Sequence, residues 1–427
     1  MDILFEILNT KFDLVKRKIE KIKNVVMDSR KIEKDSLFFA INNGNSYIES
    51  ALKDGASLVI ADNYAGDDLR VIKVEDTIKA MQDIARDYRK ALKIKIIGIT
   101  GSNGKTTTKD LVYSVLKERY RCRKTLGNYN NHIGVPYTIL QCDKNDEILI
   151  LEMGMSGFGE IDTLCSISLP DYGIITNIGD SHLEFLKSRA NVCKAKTEML
   201  KYVKPEDTVL FGDDYYLKNI PGLKVGCGDN NDFQIKNIED DEKGVHFDLE
   251  GDRYNIALNG RHNVFNASMA VVIGKLFKMS YKEISQGLER MQISAMRFEK
   301  VEIGDTVYIN DAYNASPISM SYSIETFSGL YNDRDKVAVL GDMLELGENE
   351  IKYHEDVINK ALSAKIDKIY LYGERMKKAL ANIKNSEKAV WCESKDEIRK
   401  MIKEIPQKKA VLLKGSRGMK IEEIIEK

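Results

Sequence analysis

Apolar runs of strand length recur along the chain, each running into a small or polar cluster, with stretches of helical period between them. Val25-Val26-Met27, Leu37-Phe38-Phe39-Ala40-Ile41 and Ser57-Leu58-Val59-Ile60-Ala61 read as strands of a first unit, and Ile78, Met81, Ile84, Ala85 and Tyr88 fall on one helix face. Ile94 to Thr100, Ile148 to Leu151 and Tyr172 to Thr176 are a second set of strands. Val307 to Asn310, Val337 to Leu340, Ile369 to Tyr372 and Val411 to Leu413 are a third, separated by helical patterns. Strands alternating with helices predict an α/β chain with mostly parallel sheets, whose ligands gather at the carboxyl ends of the strands. The patterns divide into units of residues 1 to about 92, 93 to 296 and 297 to 427.

Ile94 to Tyr120 carries the clearest chemistry. An apolar β-branched strand meets Gly101-Ser102-Asn103-Gly104-Lys105-Thr106-Thr107, and Leu111, Val112, Val115 and Leu116 then repeat with the spacing of one helix face. Strand, glycine loop, Lys-Thr and helix is the layout that binds a nucleotide polyphosphate. Loop and helix amides face the anion, the Lys105 ammonium reaches the terminal phosphates, and the Thr106 hydroxyl can ligate Mg²⁺. The match to the strict phosphate-loop pattern is imperfect, because Ile99 stands where its first glycine belongs.

Other strands empty into polar residues. Ile148 to Leu151 ends in Glu152, a position suited to a metal-binding acid. Tyr172 to Thr176 runs toward His182, flanked by Asp180 and Glu184 and placed to ligate a metal. Thr125 to Pro136 is a polar, glycine-punctuated loop long for a simple connection. Asn191 to Leu200 reads as a helix in which Lys194 and Lys196 form, by composition, a solvated face. The helix opening at Leu258 to Ala267 has a polar start, where Asn and His side chains, among them His262, Asn263 and Asn266, can bond a nucleobase edge or serve as caps. Ser29-Arg30 suits either a phosphate contact or a solvated turn. Asp311 to Pro317, Gly341-Asp342 and Lys414 to Gly418 end strands of the third unit and suggest a second half-site or ordinary βα turns.

Composition narrows the partners. The 65 basic and 66 acidic residues leave a net charge of -1, without the basic excess of a polyanion-binding protein, so no nucleic acid partner is expected. Six cysteines without a C-x-x-C pair fit reduced thiols of a cytoplasmic protein. No run reaches membrane-spanning length, and the amino terminus lacks the features of a signal peptide. The absence of N-K-x-D argues against a guanine-reading GTPase.

The order of motifs settles the choice among phosphate-loop enzymes. G-S-N-G-K-T-T-T-K, N-Y-N-N-H-I-G-V-P, L-E-M-G-M, T-N-I-G-D-S-H-L-E, A-K-T-E, G-R-H-N-V-F-N-A, D-A-Y-N-A-S-P-I-S-M, L-G-D-M-L-E-L-G and L-L-K-G-S-R-G-M-K together closely resemble the Mur ligase family over nearly the whole chain. D-A-Y-N-A-S-P-I-S-M and L-G-D-M-L-E-L-G are most similar to the branch that adds D-alanyl-D-alanine to UDP-N-acetylmuramoyl-tripeptide.

The resemblance implies a small α/β UDP-binding domain, a central phosphate-loop domain holding ATP and Mg²⁺, and a C-terminal Rossmann-like domain. It implies an ATP-dependent amide ligase working through an acyl phosphate, with small-molecule substrates and a monomeric chain. Lys105 then neutralises the β- and γ-phosphates, and Thr106, Glu152, His182 and a carbamylated Lys196 hold two magnesium ions. Asn263 and Asn266 match positions near the adenine, and Arg297, Asp311 and Tyr313 match nucleotide contacts. Asn314 and Ser316 match the dipeptide side, with Ser316 replacing the family's usual Asn, and Ser29 and Arg30 match the UDP contact. The short Asn42 to Ile48 segment stands where the family has a longer loop. Another ligase of the family, a folylpolyglutamate-type enzyme and a partner-dependent nucleotide-binding subunit are the alternatives.

Overall fold

The apolar runs pair into three sheets in the computed structural model, which describes residues 1–425 other than 242 and 407. Asn24–Val26, Ser36–Phe39, Ala56–Ala61 and Val71–Lys73 form the first, four parallel strands in chain order. Helix Thr77–Ala91 follows, its start capped by the Asp76 carboxylate, which accepts from the Lys79 amide. It buries Met81, Ile84, Ala85 and Tyr88, the face that the periodicity predicts. Its last turn is the joint to the central sheet. The Arg89 guanidinium donates to the carbonyls of Ser168 (2.9 Å), Leu169 (3.1 Å) and Ile94 (3.1 Å) and pairs with Asp171 at 2.8 Å.

The central sheet has nine strands. From one edge the order is Cys122–Lys124, Ile148–Glu152, Lys95–Thr100, Tyr172–Ile175, Thr208–Phe211, Leu223–Gly226, Phe233–Asp241, Gly244–Leu249 and Asp252–Ile256. All pair in parallel up to Phe233–Asp241, and the last two strands join antiparallel. Strand Lys95–Thr100 lies between Ile148–Glu152 and Tyr172–Ile175, so the chain builds the sheet outward on both sides of it and a crevice opens at its carboxyl end. Helix Lys105–Leu116 packs against helix Arg261–Leu276, and both are buried over most of their surface, which is why neither is strongly amphipathic.

The third sheet has the order Glu299–Ile303, Thr306–Asn310, Lys409–Lys414, Asp335–Gly341, Lys368–Tyr372, Ala389–Cys392. Its edge strand Glu299–Ile303 is antiparallel and the remaining pairs are parallel. Three α/β layers with largely parallel sheets are the architecture that the alternation predicts.

Two local readings differ. The expected helix from Asn191 to Leu200 is an α-helix only over Arg189–Lys196 and tightens to a 3₁₀ segment at Thr197–Lys201. Within it Lys194 is exposed but Lys196 is buried, so the composition-based solvated face holds for one lysine and fails for the other. Among the described residues, no helix is long and apolar enough to cross a membrane, and all six cysteines are free.

Candidate active site

The loop after strand Lys95–Thr100 can be built only with glycine at its two ends. Gly101 has φ +147°, and a Cβ there would lie 1.9 Å from the Thr176 hydroxyl oxygen. Gly104 has φ +80°, and its Cβ would lie 2.4 Å from Asn266 Oδ1. Ile99, the mismatch to the strict pattern, is a fully buried residue of the strand itself. The loop is pinned from the neighbouring strand end. The Thr176 hydroxyl and Asn177 Nδ2 donate to the Asn103 carbonyl at 2.6 and 3.0 Å, and the Gly179 amide donates to Ser102 Oγ at 2.8 Å. Helix Lys105–Leu116 has Gly104 at its N-cap and no side-chain cap, so its leading amides face the crevice ready for an anion. The Lys105 ammonium folds back onto the carbonyls of Gly101 (2.7 Å) and Ser102 (3.2 Å). Burial lowers its pKa, the Glu152 carboxylate opposes that shift, and Arg297 adds to it.

Beside the loop, strand Ile148–Glu152 delivers Glu152, 2% exposed. Its Oε1 accepts from Asn130 Nδ2 at 3.0 Å, while its buried Oε2 accepts no hydrogen bond. A buried hard oxygen with a free lone pair, in a cleft that also offers the Thr106 hydroxyl, fits a magnesium ligand. His182 sits in the left-handed region (φ 54°) with Nδ1 2.8 Å from Glu345 Oε2, and the ring holds the Glu345 carboxyl below its usual range. Lys196 is 1% exposed. Burial, then the Lys105 charge, drives its pKa well down, toward a neutral amine. Among the described residues no three His, Cys, Asp or Glu side chains converge to hold a metal. The cleft itself offers an ion the Glu152 carboxylate, the Thr106 hydroxyl and the His182 imidazole.

The third sheet closes the other side. Arg297 Nη2 donates to Thr106 Oγ1 at 3.0 Å, and its guanidinium lies 4.0 Å from the centre of the Tyr313 ring. The residues on either side of it, Met296 (φ 60°) and Phe298 (φ 53°), are both left-handed, a strained junction between the two sheets. Asp311 accepts from the Phe298 amide (3.2 Å) and from Lys414 Nζ (2.7 Å), and Lys414 also reaches the carbonyl of Asn314 at 3.1 Å. Ser316 caps helix Pro317–Gly329 and donates to Asn103 Oδ1 at 2.8 Å, joining the C-terminal unit to the glycine loop. Asn263 and Asn266 are not caps: Asn266 Nδ2 donates to Asn263 Oδ1 (3.1 Å), and Asn266 Oδ1 accepts from Thr108 (3.2 Å).

These groups enclose a cleft of about 410 Å³. It is lined by Ser102, Asn103, Gly104, Lys105, Thr106, Thr107, Glu152, His182, Asn263, Asn266, Arg297, Asp311, Tyr313 and Asn314. Gly101, Lys196 and Ser316 are buried and do not line it. Ser29 and Arg30 are outside it, on a turn where the Arg30 fork grips Asp28 at 2.9 and 2.8 Å.

Residues 99–274 match the Mur ligase middle domain and residues 296–417 the Mur ligase, glutamate ligase domain. A UDP-N-acetylmuramoyl-tripeptide–D-alanyl-D-alanine ligase of Bacillus subtilis is 38% identical over 424 residues, covering 95% of this chain and 93% of its own. The chain belongs to the Mur ligase family. MurF from Acinetobacter baumannii superposes with TM-score 0.87 at 27% identity, over 94% of this chain and 92% of its own. MurF from Thermotoga maritima in complex with ADP gives TM-score 0.84 at 27% identity, over 94% and 96%.

In this Mur ligase two further polar groups line or support the cleft. His262, stacked on Tyr322 at 5.2 Å and 15°, brings a ring from each unit together. Asn130, which orients Glu152, came with a signal, the long polar loop from Thr125 to Pro136. Asp342 faces away from the cleft: it accepts from the amides of Arg375 and Met376 at the start of helix Glu374–Ala381, which follows the neighbouring strand Lys368–Tyr372.

Proposed function

We propose that this Mur ligase joins D-alanyl-D-alanine to UDP-N-acetylmuramoyl-tripeptide with cleavage of ATP, giving the UDP-muramoyl-pentapeptide precursor of peptidoglycan. The observation that carries the reading is the cleft, walled on one side by the glycine loop, Lys105 and Glu152 and on the other by Arg297, Asp311 and Tyr313. Sequence likeness to the B. subtilis ligase over nearly the full length supports the substrate pair.

A carboxylate is a poor electrophile, so the tripeptide carboxyl takes a phosphoryl group from ATP, and the dipeptide amine displaces phosphate from the acyl phosphate through a tetrahedral intermediate. The loop amides and Lys105 hold the terminal phosphates, and Arg297 spreads the charge from the junction side. Asn263 and Asn266 border the adenine, Asp311 and Tyr313 the nucleotide, and Asn314 and Ser316 the dipeptide. Ser29 and Arg30 bind the UDP end. Thr106, Glu152, His182 and Lys196 would hold magnesium, which supplies charge neutralisation for the transferring phosphoryl group. Lys196 does so as a carbamate: a buried amine kept neutral is the form that adds CO₂, and the product is an anion beside Lys105. Closure of the third sheet over the cleft keeps water from the acyl phosphate.

The three sheets fit domain divisions near residues 92 and 296. Free cysteines and soluble small-molecule substrates fit a cytoplasmic monomer. The direct test is ADP release with UDP-N-acetylmuramoyl-tripeptide and a panel of amine acceptors. D-Ala-D-Ala alone should support turnover with the pentapeptide mass as product; release driven only by another amino acid would assign a different ligation step.

A further inference from the structure

Helix Lys105–Leu116 carries a second lysine one turn beyond the first, and the nucleotide reading gives it no task. Lys109 is 1% exposed. Its ammonium lies 3.5 Å from Asp110 Oδ1 and 3.7 Å from Glu152 Oε2, the same oxygen that accepts no hydrogen bond. Asp110 is itself fully buried and already satisfied. Its Oδ1 accepts from Lys124 Nζ at 2.6 Å, and its Oδ2 accepts from the Ser294 amide and hydroxyl at 2.9 and 2.7 Å. Lys109 thus lies between two buried carboxylates, Asp110, which Lys124 and Ser294 also hold, and Glu152, whose near oxygen accepts no hydrogen bond. Sequence neighbours at successive helix positions point to different sides, so Lys109 reaches the carboxylate only because strand Ile148–Glu152 runs beside this helix.

We propose that Lys109 is a positioning residue for Glu152: its buried ammonium holds the carboxylate turned toward the cleft, ready to take a divalent cation. Asn130 grips one carboxylate oxygen and Lys109 lies against the other, so the group is held from both sides while its second oxygen keeps a lone pair free. Through Asp110 and Ser294 the same cluster is tied to the segment that enters the Met296-Arg297-Phe298 junction. This role rests on the reading of Glu152 as a cation ligand.

The test is a double-mutant cycle read by Mn²⁺ binding to the full-length chain in the presence of ADP, followed by electron paramagnetic resonance. Lys109→Met should weaken Mn²⁺ binding by about 10- to 100-fold, the range for loss of a group that orients a metal ligand, and Lys109→Arg should restore most of it. On a Glu152→Gln background, Lys109→Met should cause no further loss, because the side chain it positions is gone. Equal losses on both backgrounds, or wild-type Mn²⁺ binding in folded Lys109→Met, overturn the proposal. If Lys109→Met does not fold, the unpaired Glu152 carboxylate is the cause on this account, and Glu152→Gln should rescue folding. Rescue by Asp110→Asn instead would assign Lys109 to Asp110 and also overturn it. Failure of Glu152→Gln alone to weaken Mn²⁺ binding would strike the ligand reading of Glu152, a separate result.

Discussion

Two lysines on different helices share one electrostatic setting. Lys105 and Lys196 are both driven toward the neutral form by burial, and the charge of Lys105 adds to the shift of Lys196. Lys105→Ala removes the ammonium that the carbonyls of Gly101 and Ser102 hold. It should lower kcat for ADP release by roughly 10²-fold or more, with an unchanged circular dichroism spectrum. Lys196→Ala should abolish turnover, and intact-mass spectrometry of the wild type in bicarbonate should show a carbamate that the variant lacks. An active enzyme whose Lys196 stays unmodified would remove that step. His262 gives a pH test. Burial lowers its pKa from 6.5 to about 4. The unfolded chain therefore takes up a proton below about pH 6.5 that the folded chain refuses, so this residue's effect on stability is absent above that value and destabilising as pH falls toward 4. His262→Phe, which keeps a ring against Tyr322, should flatten the fall of the melting temperature in that window.

Elements divide by how local their cause is. Strand Lys95–Thr100, its glycine loop and helix Lys105–Leu116 follow from short-range patterns, and the structure contains all three. The Phe233–Ile256 strands form no continuous apolar run: in Phe233–Asp241 only Ile235 is buried, and in Gly244–Leu249 and Asp252–Ile256 half-buried polar residues alternate with the buried apolar ones. Burial of Lys196 and Lys109 was out of reach. Helical period says which residues share a face, but what covers that face comes from elements distant in sequence. The positive φ of Gly104 makes the loop testable as an element. Gly104→Ala should cost about 1–2 kcal/mol from the left-handed backbone, and more from the contact with Asn266. ADP affinity should fall with it, measured by calorimetry alongside the urea midpoint.

At the scale of the whole molecule, the cleft exists because the third sheet rests on the central one. Few contacts reach across the glycine-loop side: Ser316 to Asn103, Arg297 to Thr106, Glu345 to His182, and the His262–Tyr322 stack. Each polar contact is worth only about 0.5–1.5 kcal/mol net, so closure is finely balanced. Ser316→Ala combined with Tyr322→Ala should open the ligand-free chain, seen as a larger radius of gyration by small-angle X-ray scattering, and added nucleotide should reverse much of it. No change in radius would mean that the Met296–Phe298 junction, and not these contacts, sets the angle between the units.

The central claim is that the amides of the 101–106 loop, with Lys105, cradle the terminal phosphates that drive ligation. A crystal structure of the chain with a non-hydrolysable ATP analogue, magnesium and D-Ala-D-Ala tests it most directly. The account predicts that Lys105 Nζ has left the carbonyls of Gly101 and Ser102 for the terminal phosphate, with the cation against Thr106 and Glu152. A triphosphate bound away from this loop, with Lys105 still on those carbonyls, would contradict it.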